Sequence, residues 1–343
     1  MTIRLFSAIA ISACLGAGVS ARDLTVAGRG GALQAAQAQA VFEPFTEVSG
    51  ITIRLEAWDG KLGTIQREIG MDASTWDLVQ IGPDVLQTGC DDGLFEKLDW
   101  PALGGKDHYL PQGVSECGVG AVLYNVVLGW DREKFQGTPG WGDFWDVAKY
   151  PGKRGLHRGA RMNLEIALMA DGVAPGDVYR TLRSEDGVDR AFRKLDQIKP
   201  YVAWWRSQEE ASKMLETGDV LLVAIPNIAV ADLSRLEGRR FGTQWAGSLS
   251  MVDFWVIVRA TPKLAETMKL LTALGDPAAE ARMTAIIPYG GLARGSSAGL
   301  APEQLAQSPS NPANIATSLQ IDDQFWRENQ VKLNQRFEAW LAL

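Results

Sequence analysis

The sequence predicts an α/β fold, because short apolar strands alternate with amphipathic helical segments along the whole chain. Glycine, proline or aspartate follows each of the first three strands, which is typical of a strand that passes into a loop and then a helix. About 320 residues follow the N-terminal leader, more than one hydrophobic core usually supports. We therefore expect two α/β lobes, with more than one crossing of the chain between them.

The first three strands end in loops that supply candidate ligand residues. We predict these strands at Leu24 to Ala27, Ile51 to Glu56 and Asp77 to Ile81. The loops after them contain Gly28-Arg29-Gly30-Gly31, Trp58-Asp59-Gly60 and Gly82-Pro83-Asp84. Ligands of open α/β sheets bind beyond the carboxyl ends of the strands. Position alone therefore makes candidates of Gly30, Trp58, Asp59 and Asp84.

Later elements divide the chain into the two lobes. Apolar runs predict strands at Ala121 to Trp130, Asp219 to Pro226 and Met251 to Arg259, helices from Asn163 to Ile198, and a C-terminal helix from Asp322 to Leu341. We predict a first lobe of residues 22–129 and 251–298. The second lobe then comprises residues 130–250 and 299–343.

Residues 1–21 have the pattern of a signal peptide. A positive start at Arg4 precedes an apolar stretch from Leu5 to Val19, and Val19-Ser20-Ala21 has the spacing that signal peptidase accepts. We therefore expect export to the periplasm. The segment Ile11-Ser12-Ala13-Cys14 also has the form of a lipoprotein box, so a lipid anchor on Cys14 is the alternative.

Two cysteines remain after the leader. Cys90 and Cys117 form an even pair in an oxidising compartment, and each lies in a turn-like context. We predict a disulfide between them, with a free buried pair as the alternative.

Several function classes fit the sequence poorly. The formal net charge of −7 argues against a nucleic-acid partner, which needs a basic face. Gly295-Ser296-Ser297-Ala298-Gly299 matches a nucleophile elbow, but no apolar strand precedes it, and His108 and His157 both come earlier in the chain. Neither histidine has metal-ligand spacing, and no dinucleotide or phosphate-loop motif is complete. We expect no catalytic residues, no metal and no cofactor, and keep a secreted hydrolase as a remote alternative.

Five segments are distinctive in combination. They are Thr75-Trp-Asp-Leu-Val, Gly89-Cys-Asp-Asp-Gly-Leu-Phe-Glu-Lys-Leu-Asp-Trp, Asn163-Leu-Glu-Ile-Ala-Leu-Met-Ala-Asp-Gly-Val-Ala-Pro, Met251-Val-Asp-Phe-Trp-Val-Ile and Ile287-Pro-Tyr-Gly. Together they resemble the periplasmic spermidine- and putrescine-binding proteins of ABC transporters. The resemblance implies a type 2 solute-binding fold, whose two lobes close by a hinge on a small ligand. It also implies delivery of that ligand to a permease, and we expect a monomer.

The same resemblance implies that Glu165 and Asp253 hold the amines of the ligand and that Tyr289 is an aromatic residue of the cleft. Carboxylates suit ammonium groups, and aromatic faces suit the methylenes between them.

The chain departs from the family pattern at four places, which are Gly28 to Gly31, Ile225 to Asn227, Met251 and Arg327. The first departure offers backbone N–H groups and a positive charge, on Arg29, where the family has aromatic and acidic residues. The serious alternative to a polyamine is therefore an amino-acid-like, zwitterionic or anionic solute gripped by Arg29 and the glycine turn.

Overall fold

The computed structural model describes residues 22–70, 74–236 and 240–343. The predicted signal peptide and Cys14 lie outside the described residues. Within the described residues, no helix is both long enough and apolar enough to cross a membrane.

The described residues form nine strands. In chain order they are β1 (Leu24–Gly28), β2 (Ile53–Ala57), β3 (Leu78–Ile81), β4 (Gly118–Asp131), β5 (Arg154–His157), β6 (Val202–Trp205), β7 (Leu222–Pro226), β8 (Phe241–Ile257) and β9 (Leu319–Gln320).

Helices connect these strands. They are α1 (Gly31–Gln37), α2 (Glu43–Ser49), α3 (Leu62–Ile69), α4 (Pro83–Asp91), α5 (Trp141–Trp145), α6 (Asn163–Ala170), α7 (Val178–Leu182), α8 (Glu185–Asp196), α9 (Gln208–Thr217), α10 (Asn227–Leu236), α11 (Leu264–Leu274), α12 (Pro277–Ile286), α13 (Pro302–Ala306), α14 (Pro312–Ile315) and α15 (Asp323–Ala342). A π-helical segment, Ala38–Phe42, joins α1 to α2. Single 3-10 turns occur at Pro101–Leu103, Lys106–His108, Pro111–Gly113, Pro175–Asp177 and Lys199–Tyr201.

One mixed sheet contains all of these strands, in the order β2-β1-β3-β8-β4-β7-β5-β6, with β9 beside β8. Strands β1, β2 and β3 are parallel to one another, and so are β5, β6 and β7. The two long strands β4 and β8 run antiparallel between these groups. Each end of the sheet is therefore an α/β unit, which confirms the predicted fold class.

Along β4 and β8, buried side chains belong first to clusters at one end of the sheet and then to clusters at the other end. Leu123 and Val252 pack with residues of β1 and β3, whereas Val126 and Met251 pack with residues of β5 and β7. The register of the β4–β8 pairing shifts at two places nearby, once between Gly120 and Val122 and once between Val126 and Leu128. Among the described residues, four buried clusters therefore form two cores, one from the two clusters that contain residues of β1 and β3 and one from the two that contain residues of β7, and β4 and β8 contribute to both cores. The lobe boundaries given above remain a prediction.

Strand β8 begins at Phe241, well before the predicted start at Met251. Its first half contains Thr243 and Gln244, which are half-buried and polar. The apolar run that predicts a strand is therefore absent there. The four-residue strands β5 and β6 are also missing from the sequence prediction, because so short a run gives little periodicity.

The predicted disulfide is confirmed. Cys90 in α4 is bonded to Cys117, which directly precedes β4, and the two Cα atoms lie 5.8 Å apart. The bond fixes α4 against the long strand that connects the two cores.

Candidate functional site

Two cavities lie where the cores meet, with volumes of about 420 and 670 Å³. Asp253 of β8 lines the smaller one, and its neighbour Phe254 lines the larger one. The smaller cavity is bounded from one side by Arg29, Gly30 and Tyr289, and from the other by Gln208, Ile228 and Asp232. A ligand there would contact both ends of the sheet.

The carboxylate of Asp253 is buried but weakly paired. Its side chain is 9% exposed, and its Oδ2 accepts hydrogen bonds from Arg29 Nε and Gln80 Nε2, both at the long distance of 3.4 Å. Gln80 is held in place because its Oε1 accepts a bond from Gln37 Nε2 at 2.9 Å. Burial raises the pKa of Asp253 to about 6, against the lowering influence of Arg29. This carboxylate has capacity for a further donor.

Arg29 reaches the cavity from the turn after β1. Gly30 and Gly31 have φ angles of 71° and 60°, which side chains other than glycine rarely adopt, so this turn requires glycine. The bond to Asp253 is the one hydrogen bond that Arg29 makes among the described residues. A Cβ added at Gly82 would lie 3.1 Å from Arg29 Nη2 and 2.7 Å from Asp84 Oδ1. The guanidinium therefore extends toward Asp84, and its Nη1 and Nη2 groups make no hydrogen bond among the described residues.

Two tyrosines face each other across the core boundary. Tyr124 of β4 packs against the core of β5 and β7, and Tyr289 against that of β1 and β3. Their ring centroids are 6.3 Å apart at an interplanar angle of 77°. Burial raises the pKa of both hydroxyls above the ordinary value, with Asp253 adding to the effect. Both rings therefore remain neutral at physiological pH.

The larger cavity contains a second cluster of charges. Arg161 Nη2 donates to Asp323 Oδ1 at 2.6 Å, and Asp84 lies at the N-terminal turn of α4. At its rim, Arg327 Nη1 of α15 contacts Asp91 Oδ2 of α4 at 3.2 Å. Arg161 is thus paired at a shorter distance than Arg29, whose contact with Asp253 is 3.4 Å long. Sequence analysis missed Tyr124, Arg161 and Asp323, since Tyr124 lies in an apolar strand and the other two match no motif.

The structure brings together five of the eight predicted ligand residues. Arg29, Gly30, Asp253 and Tyr289 line the smaller cavity, and Asp84 lines the larger one.

Trp58 and Asp59 line neither of these cavities. Trp58 Nε1 donates to the carbonyl of Gln80 at 3.1 Å, so it supports a residue of the site. Asp59 is exposed and accepts a bond from the backbone N–H of Lys61 at 3.1 Å.

Glu165 also lines neither cavity. It is fully buried in α6, where its Oε1 accepts bonds from Tyr179 Oη at 2.7 Å and from Trp326 Nε1 at 2.6 Å. The ligand role predicted for Glu165 rested on the family resemblance, and its position in the first turn of a helix, where the dipole favours acidic residues, is the alternative reason for an acid here. We assign Glu165 a role in joining α6, α7 and α15.

No group of three or more histidine, cysteine, aspartate or glutamate residues is arranged to hold a metal ion in the described ranges.

The chain is similar to known proteins over most of its length. Residues 40–313 match the family model described as bacterial extracellular solute-binding protein. A γ-aminobutyric acid-binding protein of Pseudomonas aeruginosa is 37% identical over 323 residues, which cover 94% of this chain and 91% of that protein.

Solved structures agree. An ABC transporter substrate-binding protein from Bradyrhizobium japonicum superposes with a TM-score of 0.84 at 30% identity, covering 93% of this chain and 99% of that one. A γ-aminobutyric acid receptor superposes with a TM-score of 0.81 at 26% identity, covering 93% of this chain and 98% of that one. This chain belongs to the bacterial extracellular solute-binding proteins, which bind small molecules and deliver them to ABC transporter permeases.

Proposed function

We propose that this protein captures an ω-amino acid of the γ-aminobutyrate class in the periplasm and delivers it to its permease. One observation carries the proposal, which is that Arg29 and Asp253 line the same cavity with only a 3.4 Å contact between them. Arg29 would bind the carboxylate of the ligand, and Asp253 its ammonium group. Both ends of a zwitterion are then neutralised in one cleft.

The two tyrosines suit the rest of such a ligand. An ammonium group over an aromatic face gains about 0.5 to 2 kcal/mol, depending on how far it is desolvated. Tyr124 and Tyr289 also offer apolar surface to the methylenes between the two charged ends.

A polyamine fits this cleft less well. Each of its charged ends is an ammonium, so a polyamine bound between Asp253 and the other carboxylates of the cavity, Glu209 and Asp232, would give Arg29 no carboxylate and place an ammonium beside it at Asp253. Like charges brought together in a binding site cost several kcal/mol. The polyamine specificity expected from sequence is therefore unconfirmed, and the zwitterionic alternative has the better support. The similarity to a relative named for γ-aminobutyric acid adds to that support.

Closure of the two sides of the cleft on a ligand would follow because residues of both sides line the smaller cavity. Arg29 and Tyr289 belong to one side, and Ile228 and Asp232 of α10 belong to the other. A ligand that contacts both sides favours the conformation in which they are close.

Four small ligands test the assignment of charges. Thermal unfolding and calorimetric titration are measured with γ-aminobutyrate, butyrate, n-butylamine and putrescine, after refolding to remove carried-over ligand. These compounds keep both charged ends, remove one of them, or replace the carboxylate with a second ammonium. We expect strong stabilisation by γ-aminobutyrate alone, about 2.7 kcal/mol at a hundredfold excess over Kd.

Arginine variants supply the control. Arg29→Ala should abolish stabilisation by γ-aminobutyrate. Arg67→Ala removes an exposed arginine that bonds Thr64 within α3, and it should leave binding unchanged. Stabilisation by putrescine in place of γ-aminobutyrate would reject the proposal and restore the polyamine assignment.

A further inference from the structure

Asn227, the first residue of α10, is a buried polar side chain at the boundary between the two cores. It is 4% exposed and lies next to Ile228, which lines the smaller cavity. Its Oδ1 accepts a bond from the backbone N–H of Asn125 in β4 at 3.0 Å. Its Nδ2 donates to the carbonyl of Pro288 at 2.7 Å. One amide thus bonds β4 and the loop after α12.

The two partners fix both the type of side chain and its orientation. An N–H group demands an acceptor and a carbonyl demands a donor, and an amide supplies one of each. Aspartate would present an oxygen to the Pro288 carbonyl, and alanine would leave both buried backbone groups without a partner. The site therefore specifies asparagine.

The loop that Asn227 holds carries Tyr289. Pro288 precedes the tyrosine, and Gly290 follows it with two backbone bonds to Leu123 of β4, each at 2.8 Å. Tyr289 is therefore bracketed by one side-chain bond and one backbone pair. Loss of the Asn227 bond would leave the Pro288 carbonyl without this donor, and the loop before Tyr289 would be held by the local bond from Tyr289 N–H to the Ile287 carbonyl.

We propose that Asn227 is a positioning residue, which holds Tyr289 against Tyr124 and so shapes the ligand-facing wall of the cavity. This inference deepens the proposed function and rests on it where binding is the readout. Because Asn227 starts α10, it also connects that wall to Ile228 and Asp232 on the opposite side of the cavity.

The first test is a double-mutant cycle read as Kd for γ-aminobutyrate. We expect Asn227→Ala to weaken binding about tenfold, and Asn227→Asp to do the same, because the aspartate keeps the Asn125 bond but loses the one to Pro288. In a Tyr289→Ala background, Asn227→Ala should change Kd less than about twofold. A tenfold change in both backgrounds, or wild-type binding by Asn227→Asp, would overturn the proposal.

Ser248→Ala is the matched control. Ser248 is fully buried in the same polar cluster and accepts a bond from Asn125 Nδ2 at 2.7 Å, but it has no bond to the loop among the described residues. It should lower thermal stability without changing Kd.

The second test needs no ligand. Tyrosines are replaced with 3-fluorotyrosine, and the ¹⁹F resonance of Tyr289 is assigned by its loss in Tyr289→Phe. In the ligand-free protein, Asn227→Ala or Asn227→Asp should shift or broaden this resonance, whereas Ser248→Ala should not. An unchanged resonance in a folded Asn227 variant would refute the positioning role, even if γ-aminobutyrate turns out not to be the ligand.

Discussion

Asp253 and Glu165 are both buried carboxyl groups, and their surroundings differ in a way that separates binding from structure. Two short bonds, of 2.7 and 2.6 Å, reach Glu165 Oε1 from Tyr179 and Trp326. Both bonds to Asp253 Oδ2 are 3.4 Å long. Glu165 lies inside one core, whereas Asp253 lines a cavity between two.

The difference is the open space beside Asp253, because Glu165 Oε2 also lacks a hydrogen-bond partner among the described residues but is fully buried. Burial raises the pKa of both carboxyl groups, because the charged form loses its hydration. Tyr179 and Trp326 offset part of that effect for Glu165 and are themselves satisfied by it. Asp253 has a cavity in front of it and a guanidinium beside it, so a ligand ammonium can supply the missing bond. Burial alone, which the two residues share, does not identify a ligand residue.

The largest expected effect is on binding. Asp253→Ala should raise Kd for γ-aminobutyrate on the order of 100-fold, because it removes the charged partner of a desolvated ammonium. Glu165→Gln keeps an acceptor for both aromatic donors and should change Kd less than about threefold. Isothermal titration of the two variants under identical conditions measures the contrast. Equal losses of affinity would contradict a ligand-binding role that belongs to Asp253 and not to Glu165.

For the free energy of unfolding of the ligand-free protein, we expect a substitution of Glu165 to be the harmful one and a substitution of Asp253 to be stabilising. Asp253→Asn removes a charge whose burial is poorly compensated, and it should raise the free energy of unfolding at pH 7 by about 2 kcal/mol. Glu165→Ala leaves the Tyr179 hydroxyl and the Trp326 N–H without their shared acceptor, and should lower it by about 2 to 4 kcal/mol.

Urea unfolding at pH 7, with ligand removed, measures both changes. A destabilised Asp253→Asn would mean that the native pairing of Asp253 is stronger than its 3.4 Å contacts indicate.

Much of the fold could be predicted from local patterns. The alternating strands and helices gave the α/β class, and the turn Gly28 to Gly31 was recognisable as a turn. The disulfide could be predicted because Cys90 and Cys117 are the two cysteines outside the predicted signal peptide. The first half of β8 could not be predicted, because its half-buried polar residues carry no apolar signal.

The site was harder, because its contacts join distant parts of the chain. Arg29 and Asp253 are 224 residues apart, and Glu165 and Trp326 are 161 apart. Both acids lie in segments that resemble one family, and the resemblance assigned both of them to the amines of the ligand. Only the packing shows that one faces Trp326 and the other a cavity.

The smallest expected effect that separates Asp253 from Glu165 is on the pH dependence of binding, where affinity should change about tenfold. The pKa of Asp253 is raised to about 6 in the ligand-free protein, and an ammonium ligand binds its ionised form. Ionised Asp253 falls from about nine-tenths at pH 7 to about one-tenth at pH 5, whereas a ligand carboxylate with a pKa near ~4 stays charged. Affinity for γ-aminobutyrate should therefore fall about tenfold between pH 7 and pH 5.

Two variants decide whether Asp253 is the group responsible. Asp253→Asn cannot titrate, so its weaker binding should be independent of pH over this range. Glu165→Gln should retain the wild-type profile, because Glu165 makes no contact with the cavity that would couple its proton to the ligand. If the pH dependence of affinity persists in Asp253→Asn and is lost in Glu165→Gln, Glu165 and not Asp253 is the group whose ionisation controls binding. The same tenfold fall in both variants would show that neither residue is the titrating group.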